Sequence, residues 1–261
     1  MTHRGDPPIG EGFAADTYGH GFADVYDEWY PADAAALDAV ERIAELAGPG
    51  GAILELGVGT GRLAVPLAER GHRVVGIDSS IDMLDRLAGN AVHLGPGAIE
   101  TIAGDLADAA IWPAGPFAVV VAAFNLVCNL TDPEQQASLF AAAGAALAPG
   151  GHMVVETFVP APLEGRERRL EVREVTATGV VLIASDTDPT GGIVTGQHIE
   201  LRDGEPVRLR PWRLRLTTPN ELDRWATDAG FERVATSAGW ADPPHADPPG
   251  STTRIGVYRR A

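Results

Sequence analysis

The sequence predicts an α/β fold: a doubly wound, mostly parallel seven-stranded sheet with an inserted antiparallel β-hairpin region and an N-terminal helical lid. Three observations predict it. Short apolar runs alternate with amphipathic helical stretches over residues 52–158, which is the order of strands and crossover helices in a parallel sheet. Apolar and polar side chains then alternate with a period of two within residues 168–216, as in antiparallel strands. Ahead of both, the apolar residues of 22–30 repeat at helical spacing.

The composition excludes several classes of function. The 261 residues include 36 acidic and 20 basic side chains, and the formal charge is −16. This acidity disfavours nucleic acid and anionic membranes as partners, because both are bound through clustered basic residues. All 20 basic residues are arginine, so the chain has neither a Schiff-base lysine nor a P-loop lysine. With 45% hydrophobic and 21% charged residues, we expect a single folded domain over residues 1–261.

Cysteine usage and the N-terminal segment predict a cytoplasmic protein. Cys128 is the single cysteine, so no internal disulfide can form, and the spacing of cysteine and histidine fits no structural metal site. Residues Met1–Gly12 lack the apolar core of an export signal. The longest apolar run, Phe117–Phe124, is far shorter than the ~20 residues that span a bilayer.

Two helices are predicted in the lid, residues 13–47. The first covers residues 22–30 and is stopped by Pro31; one face carries its apolar and aromatic side chains, Phe22, Val25, Tyr26, Trp29 and Tyr30. The second begins near Asp33 and ends at residues 48–51; its apolar stripe is Leu37, Val40, Ala44 and Ala47. We expect residues 13–30 to be a mobile gate that orders over a bound cofactor.

The sheet begins with a strand–helix–strand unit of 27 residues. It consists of a strand at 52–56, a helix at 62–70 and a strand at 73–78. The alternation then continues with a helix at 80–88, a weak strand at 98–102, a strand at 117–123, a helix from Asp132 to Leu147 and a strand at 152–158. Asp132 and Pro133 predict the start of that last helix, as N-cap and first-turn proline.

An insertion of about sixty residues, 160–217, interrupts this order. Period-two alternation predicts antiparallel strands in it at 168–183, 193–201 and 206–216. We expect the insertion to wall an acceptor pocket or to form a homodimer contact through Trp212, Leu214 and Leu216; packing within the chain is the alternative. A helix from Thr218 to Gly230 and strands at 231–237 and 253–259 then complete the sheet.

A glycine-rich turn, Glu55–Gly61, joins the first strand to the first helix of the sheet. Its glycines let the backbone approach a ligand at the positive end of a helix. The spacing is G-x-G-x-G, which differs from the G-x-G-x-x-G of dinucleotide sites. Asp78 ends the next strand 21 residues after Gly57, where a carboxylate can accept both hydroxyl protons of a ribose. The ligand is therefore predicted to be adenosine-like; tight strand-to-helix packing is the alternative.

Several motifs in order resemble those of the class I S-adenosylmethionine-dependent methyltransferases, which have a Rossmann-like fold. They are Glu55–Gly61, Gly76–Ser80 with Met83, Gly104-Asp105, Phe124-Asn125 and Pro149–Gly151. The resemblance covers residues 20–260 and implies S-adenosylmethionine as cofactor. The glycine turn would lie against its methionyl part, Asp78 would hold the ribose, Asp105 would reach the adenine and Met83 would pack on it. The residues implied in cofactor binding are Tyr26, Glu55, Gly57, Gly59, Gly61, Arg62, Asp78, Ser79, Met83, Asp105, Leu106 and Phe124.

Two further stretches resemble bacterial natural-product enzymes within this family. Ala23–Asp27 is similar to the entrance helix of sugar N-methyltransferases, and Asn125–Thr131 to a group that acts on small molecules. The resemblance implies methyl transfer to an O, N or C nucleophile of a small molecule. Two alternatives are a non-methylating cyclase or rearrangement enzyme on the same fold and a non-catalytic binding protein.

Three residues are candidates for the catalytic step: Tyr30, Asn125 and His198. An amide at Asn125 can orient an acceptor but cannot take its proton at neutral pH. His198 is expected to titrate in the useful range, although a satisfied sheet histidine is the alternative. No carboxylate–histidine pair has the spacing of a preset base, so we expect alignment to supply most of the rate. The arginines of the last inserted strand are predicted to form a solvated face: Arg208, Arg210, Arg213 and Arg215.

Overall fold

The computed structural model describes residues 12–244 and 250–261. The prediction that Met1–Gly12 carries no export signal therefore lies, except for Gly12, outside the described residues. Within those two ranges, no helix combines the length and the apolar character needed to cross a membrane.

The central sheet has seven strands in the order β10-β11-β5-β4-β1-β2-β3. They are β1 (Ile53–Leu56), β2 (Val74–Asp78), β3 (Ile99–Ala103), β4 (Phe117–Ala122), β5 (Leu147–Phe158), β10 (Phe231–Ser237) and β11 (Thr253–Arg260). β11 pairs antiparallel with both of its neighbours, and the other pairs are parallel. The predicted doubly wound, mostly parallel sheet is confirmed.

Helices cover both faces of this sheet. Those of the described residues are α1 (Thr17–Phe22), α2 (Tyr26–Trp29), α3 (Ala34–Ala47), α4 (Ala64–Glu69), α5 (Ile81–Asn90), α6 (Leu126–Asn129), α7 (Pro133–Ala146) and α8 (Pro219–Asp228). Neighbouring residues of β1 face opposite cores: Ile53 packs with α3 and α4, and Leu54 with α7 and α8.

Side-chain caps fix where three of these helices begin. Asp132 accepts a hydrogen bond from the Glu134 N–H and Pro133 stands in the first turn of α7, as predicted. Thr218 and Glu221 form a capping box at α8, and Asp33 caps α3.

The inserted region forms a second, four-stranded antiparallel sheet in the order β6-β7-β8-β9. Its strands are β6 (Glu167–Val175), β7 (Gly179–Asp188), β8 (Ile193–Arg202) and β9 (Arg208–Arg215). The strand predicted over 168–183 is wrong, because a turn closed by the Thr176 N–H and the Gly179 carbonyl divides it. The turn between β6 and β7 carries no Asp-Gly or Gly-rich signal. The alternation of apolar and polar residues alone therefore predicted one strand where the structure has two.

The predicted lid helix at 22–30 is also wrong: α1 and α2 are separate, with a turn at residues 23–25 between them. This turn brings Asp24 to Arg208 and Arg210 of β9, so tertiary ion pairs override the helical periodicity. In α3 the buried stripe is Ala36, Ala39, Val40 and Ile43, while Leu37 is exposed. The lid is fixed at its other side by the Thr60 hydroxyl, which donates to Asp27 at 2.5 Å.

The lid itself covers the inner face of the inserted sheet. Trp212 packs against the lid cluster of Phe22, Ala23 and Val25, and Gly196 opposite it leaves room for the indole. Packing within the chain therefore accounts for Trp212, and a homodimer contact remains a prediction.

Candidate functional site

A cavity of about 390 Å³ lies at the carboxyl ends of β1, β2 and β4, between the central sheet, the lid and the inserted sheet. This is where ligands bind in open α/β sheets. Of the predicted site residues, the cavity is lined by Tyr26, Tyr30, Glu55, Gly57, Gly59, Arg62, Asp78, Ser79, Met83, Asp105, Leu106, Phe124, Asn125 and His198. Gly61 is the exception. The cavity is also lined by residues that the sequence analysis did not select for the site: Tyr18, Asn129, Leu130, Trp212 and Leu214.

Asp78 is held by the backbone so that its carboxylate remains open to a ligand. The Gly59 N–H donates to Oδ2 at 2.8 Å and the Ser80 N–H to Oδ1 at 2.9 Å. Burial raises the pKa of Asp78, and the backbone N–H groups of Ser80, Gly59 and Ser79 oppose this rise. The two oxygens have four lone-pair positions between them, so the three N–H groups leave room for a further donor such as a ribose hydroxyl.

The glycine turn leaves space where a side chain would stand. Gly57 and Gly59 have φ values of 67° and 53°, in the left-handed region. A Cβ at Gly57 would meet Leu126 Cδ1 at 2.5 Å, whereas one at Gly59 would meet nothing nearer than the Gly57 carbonyl oxygen at 4.0 Å. Gly59 thus gives a ligand access to the backbone. Gly61 instead accommodates Val65, which a Cβ would approach at 2.9 Å, so packing explains this glycine.

Glu55 places a buried, unpartnered carboxyl oxygen at the cavity. The residue is 4% exposed, and its Oε2 has no hydrogen-bond partner among the described residues. Burial, together with the nearby charge of Asp78, raises its pKa well above the usual value. A buried carboxyl group without a partner is costly, and a cationic ligand group would relieve that cost. The amino group of a methionyl chain has this charge, so Glu55, Asp78 and Gly59 together fit S-adenosylmethionine.

Asp105, the predicted contact of the adenine, also stabilises the local backbone. Asp105 Oδ1 accepts the Ala107 N–H at 2.9 Å, so the residue also initiates a turn of the backbone. The residue still lines the cavity, as do Met83 and Leu106. Ser79 donates its hydroxyl to the Ala15 carbonyl at 2.9 Å and so connects β2 to the lid.

Phe124 and Asn125 form a strained turn directly after β4. Their φ values, 52° and 62°, lie in the left-handed region that non-glycine residues rarely adopt. The turn is held by β5: Glu156 Oε2 accepts the Phe124 N–H at 2.8 Å, and Asn125 Oδ1 accepts the Phe158 N–H at 2.6 Å. The oxygen of Asn125 is therefore engaged, and its amino group is the part that can orient an acceptor.

A guanidinium group covers the ring of Phe124. Arg62 Cζ lies 4.0 Å from the ring centroid, and Arg62 Nη2 donates to Asp33 Oδ1 at 3.1 Å. This contact joins the glycine turn, the end of β4 and the start of α3 at one side of the cavity.

Three tyrosines of the lid face the cavity: Tyr18, Tyr26 and Tyr30. Tyr18 stacks on Phe22 at 4.5 Å, and the rings of Tyr26 and Tyr30 are 5.2 Å apart. Burial raises the pKa of Tyr26 to about 12 and that of Tyr18 well above its usual value, so neither is a base at neutral pH. The spacing of eight and twelve residues from Tyr18 to the other two was the available signal for Tyr18.

His198 lies in an aromatic cage at the other side of the cavity. Its ring is 5.1 Å from that of Phe22 and 5.6 Å from that of Trp29, and its buried Nδ1 has no partner among the described residues. Burial and the charges of Arg173 and Arg210 lower its pKa to about 4. The expectation that His198 titrates in the useful range is therefore wrong, and the imidazole is neutral at physiological pH.

Of the arginines of β9 predicted to form a solvated face, Arg208 is exposed, but Arg210 and Arg215 are not. Arg210 is 4% exposed and Glu200 beside it is equally buried. Arg215 is fixed between Gln136 at 2.8 Å and Glu221 at 2.5 Å. The alternation of arginine with apolar residues correctly indicated the strand β9. It could not show that the lid packs over the strand face that carries Arg210.

Comparison with known proteins identifies relatives of the whole chain. Residues 53–151 match the family of methyltransferase domains. The chain is 36% identical to the methyltransferase CcbJ from Streptomyces caelestis, with a TM-score of 0.86 over 95% of this chain and 100% of that one. It is 26% identical to the cypemycin N-terminal methyltransferase of a Streptomyces species over 232 residues, 82% of this chain and 86% of that protein. An S-adenosylmethionine-bound amino pentose methyltransferase of calicheamicin biosynthesis, from Micromonospora echinaspora, shares the fold at 23% identity, with a TM-score of 0.66 over 91% of this chain and 97% of that one.

Proposed function

The chain belongs to the S-adenosylmethionine-dependent methyltransferases, and on that basis we propose that it methylates an O, N or C nucleophile of a small molecule from a natural-product or sugar-modification pathway. One observation carries the proposal. A single cavity joins the turn of Gly57 and Gly59 and the open carboxylate of Asp78 to a second wall of His198 and Trp212 from the insertion. The names of the relatives support natural-product acceptors, since one is an amino pentose methyltransferase and another the cypemycin N-terminal methyltransferase.

The cofactor end of the cavity would use four residues of the central sheet and its turns. Asp78 would accept the ribose hydroxyls, Glu55 would face the methionyl ammonium, and Asp105 and Met83 would contact the adenine. When bound, the cofactor supplies a methyl group on a positively charged sulfur.

The acceptor end offers orientation more than proton transfer. Asn125 has a free amide NH₂ group, Tyr30 a hydroxyl and Trp212 an indole N–H, each of which can donate a hydrogen bond to an acceptor molecule. His198 is neutral, but a conjugate acid with a pKa of about 4 makes it a weak base. The lid and the inserted sheet would exclude water and align the two reactants, which can supply more rate than general-base catalysis.

Acceptor-dependent formation of S-adenosylhomocysteine tests the proposal. We expect the wild-type protein to bind S-adenosylhomocysteine in calorimetry and to form it from S-adenosylmethionine with one member of a panel of amino sugars, phenols and amines. Asp78→Asn should weaken cofactor binding by about 2 kcal/mol, because a charge-assisted acceptor is lost. The folded wild type failing to bind cofactor would refute the proposal. Acceptor conversion without S-adenosylhomocysteine would favour the cyclase alternative, for which the comparisons offer no support.

A further inference from the structure

A buried arginine of the inserted sheet holds the turn between the two lid helices. Arg210 of β9 is 4% exposed, and its guanidinium contacts both oxygens of Asp24, at 2.5 Å through Nη1 and 3.1 Å through Nη2. Nη1 also donates to the Gly21 carbonyl at 2.6 Å. The side chain therefore fixes the end of α1 and the start of α2 together.

The network is completed by a second buried carboxylate within the inserted sheet. Glu200 of β8 is 4% exposed and its Oε2 accepts from Arg210 Nη2 at 2.9 Å. Arg208 reaches the same Asp24 at 2.5 Å, but its side chain is 55% exposed. Arg210 is thus the desolvated member, and loss of a partner from a buried pair costs far more than loss of an exposed one.

Arg210 also stands next to the acceptor wall of the cavity. It pairs directly with His198 across β8 and β9, and its Cζ lies 5.4 Å from the ring of Trp29. Trp29 in turn lies 5.6 Å from His198. On the lid side, Asp24 precedes Tyr26, a cavity residue, by two positions.

The lid is independently attached to the glycine turn. Asp27 accepts the Thr60 hydroxyl at 2.5 Å and the Asn90 amide at 3.1 Å. The lid therefore spans the cavity, with Asp27 at the cofactor side and Asp24 at the inserted sheet. Removal of the Arg210 contact would leave the lid held to the inserted sheet by the exposed Arg208, by Arg173 on the Trp29 carbonyl and by the packing of Trp212, without its buried ion pair.

We propose that Arg210 is a positioning residue for methyl transfer, which through Asp24 and the Gly21 carbonyl holds the lid against the inserted sheet and so sets the position of the cofactor wall relative to the acceptor wall. The inference rests on the proposed function. Arg210 does not touch the reacting groups; its effect passes through the lid that carries Tyr26 and Tyr30.

Four variants separate this role from a general role in stability. Asp24→Asn removes the charge on the lid side and leaves the pair of Arg210 and Glu200 intact, so the inserted sheet should stay folded. Arg210→Met removes the contact, and Arg210→Lys keeps the charge and a donor. Arg208→Met is the matched control, because this arginine lies on the same strand face and meets the same Asp24 from an exposed position.

Hydrogen exchange with saturating S-adenosylhomocysteine is the first readout. We expect Asp24→Asn and Arg210→Met to raise exchange in residues 17–30 by about tenfold or more, because a charged hydrogen bond is lost, with β1 and β4 unchanged. The second readout is turnover with the acceptor found in the screen: kcat should fall by about 100-fold while the Kd of S-adenosylhomocysteine changes far less. Arg210→Lys should restore part of kcat, and Arg208→Met should match the wild type.

If hydrogen exchange in residues 17–30 is the same in Asp24→Asn as in the wild type, the inference is wrong. It is also wrong if Arg208→Met and Arg210→Met lower kcat equally. If Arg210→Met does not fold, Asp24→Asn alone decides the question, since it leaves the buried pair in place. Failure of the proposed function is a different result, because the wild type itself would then not form S-adenosylhomocysteine.

Discussion

At the cofactor end of the cavity, Glu55 is a buried carboxyl group whose pKa lies well above its usual value. Its carboxyl is buried, has an unpartnered oxygen and faces the charge of Asp78, and these raise its pKa. A cationic group bound beside it would favour the ionised form. We therefore expect cofactor binding to release a proton wherever Glu55 is protonated in the free protein, and the affinity to rise with pH over that range.

Calorimetry in two buffers of different ionisation enthalpy measures this release. The observed binding enthalpy should depend on the buffer in the wild type and lose that dependence in Glu55→Gln, which keeps the shape of the side chain. A wild-type enthalpy that is the same in both buffers would show that Glu55 does not change protonation on binding.

His198 should make the fold less stable in acid. Its pKa is about 4 in the folded protein and ~6.5 when unfolded, so between these values the unfolded state binds more protons. Well above pH 6.5, where the unfolded histidine has also lost its proton, the residue is neutral in both states and contributes no pH dependence. As the pH falls from 7 to 5, its contribution should lower the free energy of unfolding by about 2 kcal/mol. Denaturant titrations of the wild type and His198→Gln at both pH values give this difference.

Kinetics provide a separate measure of His198. Because a neutral, weak base contributes little, His198→Ala should cost less than ~100-fold in kcat, and the wild-type profile between pH 6 and 9 should show no titration from this residue. A loss above ~10⁴-fold with cofactor affinity intact would make His198 an essential base.

The sequence predicted which residues would meet at the cofactor end of the cavity where their positions follow from local spacing. One strand–helix–strand unit, formed by β1, α4 and β2, carries Glu55, Gly57, Gly59 and Asp78. The chain order alone therefore brings these residues to one edge of the sheet. The low pKa of His198 could not be predicted, because the cage and charges that cause it come from the lid and from β6 and β9.

At the scale of the elements, α1 packs so closely on α5 that only glycine fits at position 19. A Cβ at Gly19 would overlap Ser80 Cβ and lie 2.6 Å from its Oγ, and Ser80 is the N-cap of α5. At Gly21, on the same short helix, a Cβ would have its nearest neighbour at 3.7 Å. Gly19→Ala should therefore displace the lid at a cost of about 1–3 kcal/mol, whereas Gly21→Ala should be nearly neutral.

Thermal unfolding and calorimetry with S-adenosylhomocysteine compare the two variants directly. We expect weaker cofactor binding and a lower Tm for Gly19→Ala alone, since Gly19 and its neighbour Met83 both line the cavity. Equal effects of the two substitutions would mean that the loss of helical glycine, and not the contact with Ser80, is responsible.

Element boundaries were predictable where a cap or a glycine marks them, as at Asp132 of α7 and Gly48 after α3. The break between α1 and α2 was not, because its cause is the distant pair of Asp24 and Arg210, and helical periodicity does not register such long-range contacts. The four-residue helix α6 was missed for a related reason, since Leu126–Asn129 is too short to show a period.

For the whole molecule, the lid connects two sheets that otherwise meet around the cavity. Asp27 fastens it to the glycine turn, and Asp24 fastens it to β9. Since the lid tyrosines line the same cavity as Asp78, a bound cofactor would add contacts to those the lid already makes through hydrogen bonds and through the packing of Phe22, Ala23 and Val25. We expect residues 13–30 to be the gate of the enzyme, opening by local unfolding and closing over the cofactor.

Hydrogen exchange with and without saturating S-adenosylhomocysteine tests the gate in the wild type. Protection should rise by about tenfold or more in residues 17–30, because each new buried contact adds to the free energy of local opening, while β10 and β11 at the far edge of the sheet serve as an internal reference and stay unchanged. The inserted strands β8 and β9 should gain protection in parallel, since Arg210 couples them to the lid. Unchanged exchange in residues 17–30 at full cofactor occupancy would mean that the lid is a fixed wall, and substrates would then have to enter from the side of the inserted sheet.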